Sequence, residues 1–225
     1  MFGLDDWVAG YSDGVTLWLV VAVAILLGLR HATDPDHVVA VTTLVAGGRE
    51  RAARSAARLG LAWGAGHALT LFAFGLPVLL YARALPAVVE RAAETAVAGL
   101  IVYLALRLLG RWRRGELRFH DHPHAHRSAR TPLAAFGIGL VHGLGGSAGV
   151  GVLLVATIDS TPVAVAALAI FATFTAVSMT SLTTGFGLTL ASRPVRRAFD
   201  RLAPVLGVAS LAFGLWYASA AWVLT

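Results

Sequence analysis

Two imidazoles and two carboxylates fall within seven residues at His31-Ala32-Thr33-Asp34-Pro35-Asp36-His37, set between apolar runs at Val15 to Leu29 and Val38 to Ala46. Ionisable side chains at bilayer depth are costly unless they are paired, so the cluster needs a compensating partner. A divalent transition-metal ion satisfies both group types at once, because imidazole and carboxylate are both good ligands for it. Pro35 has no amide hydrogen, which deprives the His31 carbonyl of its helical partner four residues on. The residue before a proline avoids the α region, which predicts a break at Asp34-Pro35. One half-helix then ends near Ala32, and the next begins with Asp34 as N-cap and Pro35 at its first position. On an unbroken helix, at about 100° per residue, Asp36 would sit away from the face shared by His31, Asp34 and His37. The break lets it turn toward the same cavity, and freed carbonyls at the end of the first half-helix add partial negative charge. The competing reading is that these side chains only cap a kinked helix.

Other polar residues lie in apolar surroundings. His67 follows Trp63-Gly64-Ala65-Gly66, and His142 sits in Gly139-Leu140-Val141-His142-Gly143-Leu144-Gly145-Gly146-Ser147. Either histidine alone is as readily a hydrogen-bonding residue between helices as a ligand. Four histidines in such segments favour metal, giving the candidate ligand set His31, Asp34, Asp36, His37, His67 and His142. The glycines around His142 allow close helix approach or an unwound backbone beside the site. Ser147 and Ser178 are candidate pathway residues. Ser178, Thr180, Ser181, Thr183 and Thr184 make one helix face polar, although hydroxyls bonding back to their own helix are the commoner arrangement. A separate tract, His120-Asp121-His122-Pro123-His124-Ala125-His126, offers His120, His122, His124 and His126 as a weak metal-gathering site; the alternative is a solvated linker.

These residues need a membrane scaffold, and the composition supplies one. Of 225 residues 57% are hydrophobic and 13% charged, with a mean hydropathy of +0.74, too little polar surface for a soluble domain. Cysteine is absent, so disulfides and thiolate sites are excluded. All 18 basic residues are arginines, and 15 of them fall in Arg49 to Arg58, Arg107 to Arg130 and Arg193 to Arg201. Long apolar runs separate these groups, so they make no nucleic-acid groove. The first apolar run has an acidic lead (Asp5, Asp6, Asp13) and no basic n-region, so no cleavable signal peptide is expected.

Apolar stretches of spanning length occur at 14–47, 59–81, 87–109, 132–157, 163–191 and 202–223. The three arginine loops are each separated by two spans, so the positive-inside rule places all three in the cytoplasm and both termini outside. The expectation is an all-α, multi-pass protein of the cytoplasmic membrane with about six transmembrane helices, the first one broken. A seventh crossing is the alternative, if 14–30 and 35–47 span separately. One constant shift along the chain aligns Gly28-Leu29-Arg30-His31 with Gly139-Leu140-Val141-His142, and His67 with Ser178. One position off that register, Phe74-Gly75-Leu76 matches Phe186-Gly187-Leu188. The single transmembrane domain, 1–225, thus divides into repeat one (14–110), a cytoplasmic Arg/His loop (111–131) and repeat two (132–223). Three spans per repeat make the second copy enter from the opposite side, the inverted architecture of many secondary transporters.

Residues 31–37 fit His-x4-Asp-His, and in this the chain resembles the nickel/cobalt transporter family, whose segment usually reads His-Ala-x-Asp-Ala-Asp-His. Gly66-His67 resembles that family's second histidine motif, and His142-Gly143-Leu144-Gly145-Gly146 resembles its smaller relatives. The resemblance implies transport of Ni²⁺ or Co²⁺ as substrate, with His31, Asp36 and His37 as recognition residues and no resident cofactor. Pro35 stands where alanine is usual, and the acidic motif of the longer members' second half is missing. Inward movement of a dication down a 100 mV potential yields about 4.6 kcal/mol, twice the value for one charge, which favours uptake over efflux. Two other classes compete. One is a zinc-dependent membrane hydrolase on His31, His37, His67 and His142, with Asp36 as base and Ser147 assisting. The other is a small-anion exporter, which the central carboxylates disfavour. The expected partners are the metal ion and membrane lipid, with no nucleic acid, and a homo-oligomer is left open.

Overall fold

The computed structural model describes residues 14–34, 36–38, 40–41, 52–81, 86–115, 131–145, 158 and 160–223. Among the described residues there are six helices of eleven or more residues and no strand: α1 (Gly14–His31), α2 (Ala52–Tyr81), α3 (Ala87–Arg113), α4 (Pro132–His142), α5 (Thr161–Ala191) and α6 (Arg193–Val223). Four stretches within them are long and apolar enough to cross a membrane: Arg54–Tyr81, Val88–Arg113, Thr161–Thr189 and Arg201–Trp222. Leu17–His31 and Pro132–His142 are shorter apolar helices. Trp18, Leu26, Leu69, Val88, Tyr103, Val205, Trp216 and Trp222 are exposed, a spread of large apolar side chains suited to lipid. The protein is an all-α, multi-pass membrane protein.

Local chemistry explains several boundaries. Thr131 is extended and its Oγ1 accepts the Ala134 amide at 3.2 Å, while Pro132 begins α4 where no donor is required. The order short, long, long occurs twice, in α1–α3 and again in α4–α6. Packing exchanges between these triplets. The central pair is α2 on α5; α1 lies on α5, α4 lies on α2, and α3 packs with α6. Small residues make the interfaces, as they do where no hydrophobic drive separates helix from lipid. One core joins Ala24, Leu71, Ala164, Ala167, Leu168 and Phe171; a second joins Ala32, Val41, Leu59, Trp63, Leu104, Ala135 and Met179.

Two boundaries differ from the sequence expectation. The arginine segments at 48–58 and 192–201 are in large part helix, since α2 begins at Ala52 and α6 at Arg193. Arginine is a good helix former whose long stem lets its charge reach water from a helix end, so positive charge need not mark a loop. The apolar stretch 132–157 is no continuous helix either: α4 stops at His142 after 11 residues, about 16 Å, or roughly half the hydrocarbon thickness. Residues 146–157, the 116–130 part of the arginine/histidine loop and residues 42–50, on which the seven-span alternative depends, lie outside the described residues.

Candidate metal centre

The break after α1 is made by ordinary turn bonding. The Thr33 amide turns back to the Arg30 carbonyl at 2.9 Å and the Asp34 amide to His31 at 3.2 Å, ending the helix at His31. The Asp34 carbonyl then accepts the His37 and Val38 amides at 3.0 and 3.1 Å, so a new helical turn starts there. Asp34 thus holds the N-terminal position expected of it, with Pro35 itself outside the described residues. The reversal brings the His31 and His37 rings to 4.6 Å, centroid to centroid.

α4 ends in the same way, at the histidine of its own Gly-Leu-x-His segment. Its Leu144 amide turns back to Val141 at 3.2 Å, as Thr33 does to Arg30. In each helix this releases the carbonyl two residues before the terminal histidine, Leu29 or Leu140, from its i+4 partner. A hydroxyl from the opposite triplet takes each one: Ser178 Oγ of α5 donates to Leu29 O at 2.7 Å, and Thr70 Oγ1 of α2 donates to Leu140 O at 3.0 Å. Ser178, a candidate pathway residue, therefore fastens the end of α1. Thr180, Ser181, Thr183 and Thr184 donate to carbonyls four residues back on their own helix, at 2.6 to 2.9 Å.

His67 comes to the same point from α2, and His142 from α4. Backbone contact brings them there. A Cβ on Gly139 would lie 2.1 Å from the Trp63 carbonyl, and one on Gly66 would lie 2.3 Å from that of Phe136. Only glycines allow α2 and α4 this close. His31, Asp36, His37, His67 and His142 are all buried, walled by Trp63 and Phe171. His31 Nε2 and His67 Nε2 share a hydrogen bond at 2.9 Å. The Asp36 carboxylate bridges two rings, with Oδ1 accepting from His37 Nδ1 and Oδ2 from His142 Nε2, both at 3.1 Å.

Three ring nitrogens are left over. His37 Nε2, His67 Nδ1 and His142 Nδ1 are buried with no hydrogen-bond partner among the described residues, as is Trp63 Nε1. An unmade bond of this kind costs about 1–3 kcal/mol, so the cluster is poorly explained as a purely structural network. Its donor chemistry is that of a first-row metal site. Two triads, His31–His37–His67 and Asp36–His37–His142, each have ligand atoms within 4.8 Å of one another.

Asp34 belongs to neither triad. Its carboxylate lies 3.4 Å from His31 Nδ1 and 3.6 Å from the Arg30 guanidinium, the place of a group that orients a ligating imidazole through its other nitrogen. Ser147 and the tract His120, His122, His124 and His126 lie outside the described residues. Sequence reasoning missed Thr70 and Trp63. Positions 63, 67 and 70 share one face of α2, a spacing that marks both as neighbours of His67.

One curated protein is related along nearly its whole length: the urease accessory protein UreH of Bacillus sp. (strain TB-90), 30% identical over 214 residues, which cover 91% of this chain and 92% of that protein. No family model matches the sequence, and no solved structure matches it.

Proposed function

The chain belongs to the family of the urease accessory protein UreH, a relationship that agrees with its resemblance to the nickel/cobalt transporters, and from this premise we propose that it carries Ni²⁺ or Co²⁺ inward across the cytoplasmic membrane. The observation that carries the proposal is the buried cluster of four imidazoles and the Asp36 carboxylate at a helix break in a multi-pass protein. Imidazole with a single carboxylate suits the borderline first-row dications better than Mg²⁺ or Ca²⁺, which prefer all-oxygen shells. α1 and α4 both end at the cluster, at His31 and His142, so two helix C-termini add partial negative charge where the cation sits. Inward movement needs no coupling ion, because the potential alone supplies about 4.6 kcal/mol per dication at 100 mV. The arginine-bearing helix ends face the cytoplasm in this arrangement.

The test is uptake of radiolabelled nickel by cells expressing the chain, with cobalt, zinc and manganese as competitors. Saturable accumulation, suppressed by cobalt and little affected by manganese, is the expected result. Unchanged or reduced cellular nickel on expression would refute inward transport, and a reduction would point to efflux.

A further inference from the structure

The five candidate ligands do not converge on one point. Each triad has its ligand atoms within 4.8 Å of one another, close to the roughly 4.4 Å limit for two ligands bound to one ion at about 2.2 Å. His67 and His142 belong to different triads, and their ring centroids are 6.1 Å apart, the widest of the histidine ring pairs in contact here. His37 is common to both. Asp36 occupies its Nδ1 edge at 3.1 Å, while its Nε2 is buried and lacks a hydrogen-bond partner among the described residues.

Resting on the transport reading above, we infer that the dication has two alternative positions sharing His37, and that passage through the protein is a handover between them. The first position lies with His31 and His67 on the Nε2 edge of His37; the second lies with Asp36 and His142 on the Nδ1 edge. A neutral imidazole offers one ring lone pair at a time, so the positions exclude each other and the chain holds one ion. The handover also exchanges the ring proton with water, Nδ1 giving one up as Nε2 takes one, with no net proton consumed. They differ in charge and in origin. The first has three neutral ligands, all from residues 31–67. The second adds a carboxylate and needs His142 on α4, so it depends on the docking of α4 against α2. The ion thus moves from a site belonging to one triplet of helices to a better charge-compensated site spanning both.

The experiment is Co²⁺ titration of the purified full-length protein, read by visible ligand-field absorption and by the number of ions bound. The variants are His67→Gln, His142→Gln and His37→Gln, each first shown to be monodisperse. The wild type should bind one Co²⁺. His67→Gln and His142→Gln should each still bind one, with spectra that differ from each other. Because the affinities of two exclusive positions add, His142→Gln, which removes the better charge-compensated one, should bind at least about tenfold more weakly, and His67→Gln should stay within about twofold of the wild type. His37→Gln should bind none over the same range, and both single-position variants should lose nickel uptake. Loss of binding in His67→Gln and His142→Gln as complete as in His37→Gln would overturn the two-position reading in favour of one shared site. Two ions bound at once by the wild type would overturn it as well. A wild type that binds neither Co²⁺ nor Ni²⁺ would defeat the transport reading itself, a result distinct from both of these.

Discussion

Gly139→Ala places one methyl group at the tightest helix contact beside the site. The added carbon would meet the Trp63 carbonyl at 2.1 Å and the His67 amide nitrogen at 2.9 Å, where ordinary contact begins near 3.4 Å. To clear the carbonyl alone, α4 must retreat from α2 by more than an ångström, the gap between the first and last of those distances. Neither obstacle is a flexible side-chain tip, so the helix itself has to move. Overpacking of this kind costs roughly 1–3 kcal/mol in stability. The functional effect should be larger than the structural one. His142 is three residues along α4, and its 3.1 Å bond to Asp36 does not survive a displacement of that size. Because a ligand set must be held within about 0.5 Å, Co²⁺ affinity and nickel uptake should both fall by at least tenfold, while the protein still inserts and remains monodisperse. Gly137→Ala is the control, for a Cβ there meets nothing within 4 Å on the same helix. Wild-type affinity and uptake in Gly139→Ala, or equal losses in Gly137→Ala, would refute the view that α4 docking sets the site.

Three further outcomes are expected. His37→Ala should abolish nickel uptake at normal membrane abundance, since both candidate triads lose their common member; normal accumulation would remove His37 from the ligand set. Thr70→Val leaves the Leu140 carbonyl without its hydroxyl donor and should cost about 1–3 kcal/mol in thermal unfolding, with Thr70→Ser restoring most of it; a neutral valine variant would show that the bond holds nothing in place. Metal affinity of the purified protein should weaken as pH falls from about 7.5 to 5.5, because neutral imidazole is the ligating form and protons displace the metal. The loss should reach up to about tenfold per pH unit for each imidazole that must give up a proton, measured at fixed ionic strength. An affinity that stays flat across that window would show that no ligating imidazole takes up a proton between those pH values.

The helix break was legible because proline states its effect locally: with no amide on Pro35, the chain around Asp34 had few alternatives. The likeness of His31 and His142 was legible too: both follow the pattern Gly-Leu-x-His, and both end a helix with the same turn bond. What stayed hidden depends on contacts between distant segments. Nothing in residues 31–37 says that Asp36 bonds His142, 106 positions away, while Asp34 turns to Arg30 and His31. The path of the turn decides that division, and two aspartates two residues apart read alike in sequence. Thr70 was overlooked because a threonine in an apolar helix ordinarily bonds its own backbone, as Thr175 and Thr183 do here. Thr70 reaches both its own Gly66 carbonyl, at 3.2 Å, and the Leu140 carbonyl of α4.

The crossed hydroxyl bonds tie the site to the relation between the two helix triplets. Ser178 of the second triplet holds the end of α1, and Thr70 of the first holds the end of α4. Separating α1 from α5 would break the first bond and moving α4 off α2 would break the second, while the Asp36–His142 contact joins the two sets of ligands. Each is a single hydrogen bond, worth about 1 kcal/mol net between neutral groups and about 1.5–3 kcal/mol where the carboxylate is charged. These three contacts add a few kcal/mol to the packing of α1 and α2 on α5, of α4 on α2 and of α3 with α6, which also holds the triplets together. A cation bound between Asp36 and His142 adds its own attraction to the same seam. On the two-position proposal, an ion held there therefore reinforces the docking of α4 against α2 that its own ligand set requires.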